Sequence, residues 1–192
     1  MQVLPENTKA IDQVVKILKS GGIVAHATET CYGLACDLSN PDAVRKLFEI
    51  KNRPLTYPVS ALFETVTQAK KYVKWNDRAE ELATKYLPGP LTLILPMKSD
   101  APEILYPVPD GSKTIGVRIS PNTTAQRLAQ LFGKPISTTS ANMHGEPNPF
   151  SAQAIIDQGV KPDLIIDSGE LKPTDVSRVI DLTGSEEKIL RS

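Results

Sequence analysis

Aromatic residues make up 5% of this 192-residue sequence, and it holds two His and two Cys. Two thiols, Cys31 and Cys36, are too few for a disulfide framework. They lack CxxC spacing and have no His pair nearby at metal-ligand spacing, which argues against a zinc site. A cytoplasmic location follows. No apolar run approaches the roughly 20 residues that span a bilayer, and the start, MQVLPENTKAIDQ, lacks the charged, apolar and small-residue sections of an export signal. A soluble protein without a membrane partner is expected. There is also no excess of either charge: 22 Lys plus Arg stand against 22 Asp plus Glu, whereas sequence-independent nucleic-acid binding usually needs a clear basic surplus. A local basic groove remains compatible with this balance. Hydrophobic residues (40%) and charged residues (23%) match a soluble globular chain, and the length fits one domain over 1–192 with a substantial core.

Apolar periodicity sets out the elements. Ala10, Ile11, Val14, Val15 and Leu18 recur at three and four, which predicts a helix over 7–20 ended by Gly21-Gly22. GIVAHA reads as a buried strand, and Pro41 opens a second helix that delivers the chain to Lys51. Strands are expected at 58–63, 91–95, 113–120, 134–138 and 163–167, with SRVIDL and KILR as short closing strands. Helices are expected at 65–71, 76–87, 121–132 and 151–158, and 98–112 reads as the longest irregular stretch. Alternating strands and helices indicate an α/β domain. Because no helix separates some of the strands near 91, 113 and 178, the sheet is expected to be mixed parallel and antiparallel, flanked by helices.

Four polar stretches sit at the ends of apolar runs: TETCYG (28–33), KNRPLTYP (51–58), STTSANMHGEPNP (137–149) and GELKPTDVS (169–177). Ligands of α/β sheets gather where strands give way to loops, so these four are candidates to line one cleft. The third offers many hydroxyls and little bulk, which suits phosphate or carboxylate binding. It is not a P-loop, because position 128 is Leu and Lys134 precedes Pro135. Lys51 fits a helix C-terminus, where the macrodipole favours cations. Arg53, held beside Pro54, suits bidentate contact with phosphate. Arg118 interrupts an apolar strand, so it must reach a cleft, bind an anion or pair with a structural carboxylate. Cys31 with His26, or Ser140 with His144, carries a thiol- or serine-hydrolase reading less well, since no GxSxG elbow or acid partner is present and His26 and Cys31 read as packing residues.

Taken together, GGIVAHATETCYGLACD, KNRPLTYPV, LPGPLTLIL, IGVRIS, STTSANMHGEPNP and SRVIDLTG with ILR resemble, in order, the motifs of the YrdC family, over nearly the whole chain. The resemblance implies the short, single-domain form and the YrdC-like fold. It implies a threonylcarbamoyl-AMP synthase, a nucleotidyltransferase that uses L-threonine, bicarbonate or CO2, and ATP, and releases pyrophosphate. A downstream threonylcarbamoyl transferase complex would then modify tRNA. By motif position, Lys51 and Arg53 would be the catalytic pair on the ATP phosphates. Thr30, Arg118, Thr138 and Ser177 would meet threonine, with Arg118 on its carboxylate. Tyr57, Ser140, Asn142, Asn148 and Arg191 would complete the ATP site, with Thr138 beside the adenylate. Mg²⁺ is expected with ATP, its ligands mostly phosphates, since no carboxylate cluster marks a metal site. His26, Ala27, Cys31, Tyr57, Leu62, His144 and Arg178 depart from the family pattern. The alternatives are an RNA-binding module using the same concave surface for tRNA or double-stranded RNA, and a paralogue with another amine substrate.

Overall fold

In the computed structural model, which describes residues 1–102 and 113–192, the chain runs as follows: β1 (Gln2–Pro5), α1 (Thr8–Lys19), β2 (Val24–Ala27), β3 (Tyr32–Ala35), α2 (Pro41–Ile50), β4 (Ser60–Leu62), α3 (Val66–Ala69), α4 (Asp77–Tyr86), β5 (Leu91–Pro96), β6 (Thr114–Arg118), α5 (Thr123–Phe132), β7 (Ile136–Ser140), α6 (Ala152–Asp157), β8 (Leu164–Asp167), β9 (Arg178–Asp181) and β10 (Lys188–Arg191). Of the irregular stretch expected over 98–112, residues 103–112 lie outside the described residues. The strands form one sheet in the order β1-β8-β2-β3-β7-β4-β6-β5-β9-β10. Parallel and antiparallel pairs mix as expected: β4 runs parallel to β6 and antiparallel to β7, and β5 parallel to β9 and antiparallel to β6. Among the described residues no helix is long and apolar enough to cross a membrane.

Local chemistry explains the helix ends. Asn7, Asn40, Asn76 and Asn122 are N-caps whose side-chain oxygens accept from backbone N–H groups of the first turn. α1 and α2 close in the same way. After α1, Gly21 takes φ 82° and its N–H donates to Leu18 O, while Gly22 N–H donates to Ile17 O. After α2, Asn52 takes φ 48° and donates to Glu49 O, while Arg53 N–H donates to Phe48 O. Each is a Schellman motif, which turns the chain sharply and satisfies the last carbonyls. The second aims the 51–58 loop.

Side chains alternate across the sheet, so a strand with helices on both faces feeds two cores. Ala25, Leu34, Ala61, Leu93, Ile115, Val117, Ile165 and Ile180 face α2, α4 and α6 in the larger cluster. Val24, Ala35, Leu62, Ile136, Leu164 and Ile166 face the opposite way, under α1 and α5. That second cluster draws nothing from β5, β6, β9 or β10. Among the described residues, α1 and α5 cover this face over part of the sheet's width and leave the rest uncovered.

Two strands were not foreseen. β1 is short and largely exposed, and it exists by pairing in parallel with β8. β3 begins within a stretch read as a loop; at four residues with Gly33 inside it carries little strand signal, yet it is buried between β2 and β7. The hydroxyl stretch likewise belongs to β7 as far as Ser140, with a loop only from Ala141.

Asp163 ties three elements together. Its carboxylate accepts from Ile23 N–H at 2.7 Å and from Lys46 Nζ at 2.7 and 2.9 Å, joining the start of β2 to α2 and β8. Burial alone would raise this carboxyl's pKa, but the Lys46 ammonium and the Ile23 N–H outweigh it and hold the pKa below the usual value. Asp163→Ala is expected to cost about 1 kcal/mol in urea unfolding, a low figure because the pair is partly solvated. The contribution is present above the unfolded carboxylate pKa of roughly 3.9 and lost as pH falls through the lower folded value, so the variant should lack that acid-side decline.

Candidate functional site

The bare part of the sheet face is the floor of a cavity of about 340 Å³. Register places Thr138, Ser60, Gly116 and Ile94 in one row across β7, β4, β6 and β5. Thr92 and Arg118, two residues along their strands, face the same side, as do Val179 and Ser177. A Cβ on Gly116 would lie 2.6 Å from Ser60 Oγ and 3.1 Å from Thr92 Cγ2. Glycine keeps the floor low where three strands crowd. Residues 28–33, the 53–60 segment, Asn148 and the β9–β10 hairpin supply the walls.

Of the residues singled out from sequence, Thr30, Arg53, Arg118, Thr138, Ser140, Asn148, Ser177 and Arg191 line this cavity. Lys51, Tyr57 and Asn142 do not. Lys51 is 2% exposed, and its ammonium donates to Ser140 O, Asn142 O and Asn142 Oδ1 at 2.5, 2.8 and 2.9 Å. All three of its N–H donors are therefore committed to the 140–142 turn. Burial, then the nearby Arg53 guanidinium, push its pKa down to about 7. Asn142 is committed too: its Oδ1 also accepts from Ser140 Oγ at 2.6 Å, and its Nδ2 donates to Glu146 O. With His144 N–H donating to Lys51 O at 2.9 Å, the end of α2 and this loop form one hydrogen-bonded unit. Tyr57 is exposed, its ring 5.2 Å from that of His144 and 5.3 Å from the Arg53 guanidinium.

Three guanidinium groups reach the cavity, and their partners differ. Arg118 is paired with Glu29, whose second oxygen accepts from Ser120 Oγ; this answers the question of what a cation does in an apolar strand. Arg53 donates to Pro58 O at 2.9 Å and Thr139 Oγ1 at 3.4 Å, with Phe48 and Tyr57 rings against it. Arg191 donates to Ser177 O at 2.7 Å and Ser177 Oγ at 2.9 Å. Among the described residues neither Arg53 nor Arg191 has a carboxylate partner. Burial lowers the pKa of both, and Arg118 lowers that of Arg191 further. Cations held by neutral oxygens in a partly buried space form a site for an anion.

Sequence reasoning did not single out Glu29 or Ser60. For Glu29 the signal was Arg118 itself, since a buried cation requires a carboxylate somewhere. For Ser60 it was a hydroxyl at an alternating position of an apolar strand. His26 and Cys31, read as packing residues, are buried; His26 Nδ1–H donates to Ala27 O at 2.8 Å, and burial pushes its pKa down. Cys31 and Cys36 are both free.

Comparison with known proteins places this geometry in context. The family model Sua5_yciO_yrdC, described as telomere recombination, matches residues 16–192. A threonylcarbamoyl-AMP synthase of Pyrococcus abyssi is 36% identical over 178 residues, covering 91% of this chain; the chain spans about half of that protein, 51%. The crystal structure of P. abyssi Sua5 complexed with L-threonine superposes with a TM-score of 0.87 at 34% identity, over 99% of this chain and 56% of that one. Escherichia coli YciO superposes with a TM-score of 0.85 at 28% identity, over 99% of this chain and 93% of that one.

Two variants probe the electrostatics. Glu29→Gln leaves the Arg118 guanidinium buried without its counter-charge and is expected to cost about 3 kcal/mol in denaturant unfolding; replacing both residues by Met should recover most of that loss. Lys51→Met leaves three oxygens without their donor and is expected to cost about 2 kcal/mol, with faster amide exchange in residues 140–146 as the local readout.

Proposed function

The chain belongs to the Sua5/YciO/YrdC family, and we propose that it forms threonylcarbamoyl adenylate from L-threonine, bicarbonate or CO2, and ATP, releasing pyrophosphate as a nucleotidyltransferase. The observation that carries this reading is the cavity's charge: Arg53 and Arg191, without carboxylate partners among the described residues, face a floor of hydroxyls. A triphosphate and an amino-acid carboxylate are anions of the kind such a site holds. The threonine carbamate's oxygen attacks the α-phosphorus, a P–O bond forms, and the bond to the β-phosphate oxygen breaks as pyrophosphate leaves. No protein nucleophile is needed. The chain's own contribution is to align the two substrates and neutralise charge as it moves to the leaving group.

In this reading Arg53 clamps the phosphates, and Arg191 approaches the nucleotide from the opposite wall. Lys51 acts through the loop it holds, setting Ser140 and Asn142 in place. Arg118, with its charge balanced by Glu29, offers its remaining N–H groups to the threonine carboxylate beside Thr30 and Ser177. The cavity lining has no carboxylate among the described residues, so it does not by itself fit a magnesium ion; Mg²⁺ would enter on the phosphates of ATP. The product would pass to a transferase that modifies tRNA. A paralogue with another amine substrate is the second reading, favoured by Leu62, which lies buried under α1 and α5 and adds no polar group to the cavity.

The deciding experiment follows pyrophosphate release from ATP and bicarbonate with and without L-threonine. A threonine-dependent product supports the synthase, and its absence while another amine sustains release supports the paralogue. Arg53→Ala is expected to keep the fold by circular dichroism yet lower turnover by about tenfold to a hundredfold, as loss of a charged hydrogen bond of roughly 1.5–3 kcal/mol implies.

A further inference from the structure

Among the described residues, eight serine and threonine side chains line the cavity. Six of them have partners within the protein: Thr28 and Thr30 bond one another, Thr92 and Ser177 bond one another, Thr139 accepts from Arg53, and Ser140 donates to Asn142. Ser60 and Thr138 are the other two, and among the described residues their hydroxyls have no partner. They are also neighbours, being paired directly across the antiparallel β4–β7 ladder. On its other side Ser60 is paired with Gly116, and its Oγ lies 2.6 Å from where a Cβ of that residue would stand. The hydroxyl leans over the glycine into space that any other residue would fill. Two uncommitted hydroxyls thus sit side by side on the floor, between Arg53 on one wall and Arg118 on the next strand. Leu62, two residues farther along β4 on the same face, is packed in the α1–α5 cluster, so polar contact from this strand falls to Ser60.

We propose that Ser60, backed by Thr138, is the specificity-determining residue for the amine substrate: its hydroxyl reads a hydroxyl on the substrate's side chain, so the site takes a small hydroxy amino acid and rejects its deoxy analogue. This rests on the synthase reading and extends it to a residue that the family motifs do not mark. The physical basis is asymmetric. A substrate hydroxyl replaces the water on both groups with hydrogen bonds, whereas a methyl group over the same floor displaces that water and leaves two polar groups unpaired. Charge at the walls would hold the phosphates of ATP and the carboxylate of any amino acid alike, so discrimination among side chains has to come from the neutral floor.

The test compares L-threonine, L-serine, L-2-aminobutyrate and L-valine in the wild type, Ser60→Ala and Ser60→Thr. Pyrophosphate release is one readout, and calorimetric binding of each amino acid in the presence of ATP is a second that does not need turnover. The wild type is expected to prefer threonine to 2-aminobutyrate and valine. Ser60→Ala should lower the threonine to 2-aminobutyrate ratio by about tenfold, and Ser60→Thr, which restores a hydroxyl, should hold it near the wild-type value. The proposal is overturned if Ser60→Ala keeps the ratio, or if it weakens both amino acids equally, as a structural role would. If the wild type neither binds nor uses any of the four, the synthase reading fails and takes this inference with it. That outcome is distinct from the previous two, in which wild-type turnover survives.

Discussion

Everything at the cavity depends on one asymmetry of the sheet: α1 and α5 cover the side of β1, β8, β2, β3, β7 and β4 that carries Val24, Ala35, Leu62 and Ile136, and they stop short of β6, β5 and β9. Residues two apart on a strand share one face, yet here they meet two environments. On β4, Leu62 is core and Ser60 is cavity; on β7, Ile136 is core while Thr138 and Ser140 are cavity. The opposite face carries a continuous apolar cluster along β5 and β6, so these strands remain stable with one side open to a ligand. A few residues of helix coverage decide which half of a strand holds the fold and which half is free for chemistry.

Charge is distributed along the same boundary. Buried or half-buried cations are costly unless something satisfies them. Here the satisfaction is graded: Glu29 gives Arg118 a counter-charge, three oxygens hold Lys51, and among the described residues Arg53 and Arg191 have neutral oxygens alone. The paired cation is structural as well as available, and the two unbalanced ones carry the attraction for an anion. Lys51 changes meaning in this scheme. A lysine that motif position assigns to phosphate is spent on the turn beside it, so in the proposed reaction its influence on the ligand would pass through Ser140 and Asn142. The rigidity of that turn suits a reaction whose demand on the protein is alignment.

Much of the architecture was legible in the sequence. Pro41 announced the start of α2 and Gly21-Gly22 the end of α1, because helix initiation and termination are local chemistry carried by adjacent residues. β1 and β3 were not legible, since four-residue strands with weak propensity exist through their pairing with β8, β2 and β7. Eight of the expected site residues do meet at one cavity, and the order of the motifs along the chain was enough to assemble them.

By itself the sequence determined the family, the mixed α/β class and the residue types that gather at the site, because each is carried by local pattern and by ordered motifs. Only the tertiary structure decided how those residues divide their work. Which carboxylate answers Arg118, which oxygens take up the donors of Lys51, and which cavity hydroxyls bond one another are all matters of contact between strands and loops far apart in the chain. A hydrogen bond is set by distance and direction in space, and residues 89 and 91 positions apart, such as Lys51 with Ser140 and Asn142, have no local pattern that announces their meeting. The role of KNRPLTYP is the clearest case: its cations could be read as an anion site, yet the fold sends Arg53 to the cavity and keeps Lys51 to hold the neighbouring loop.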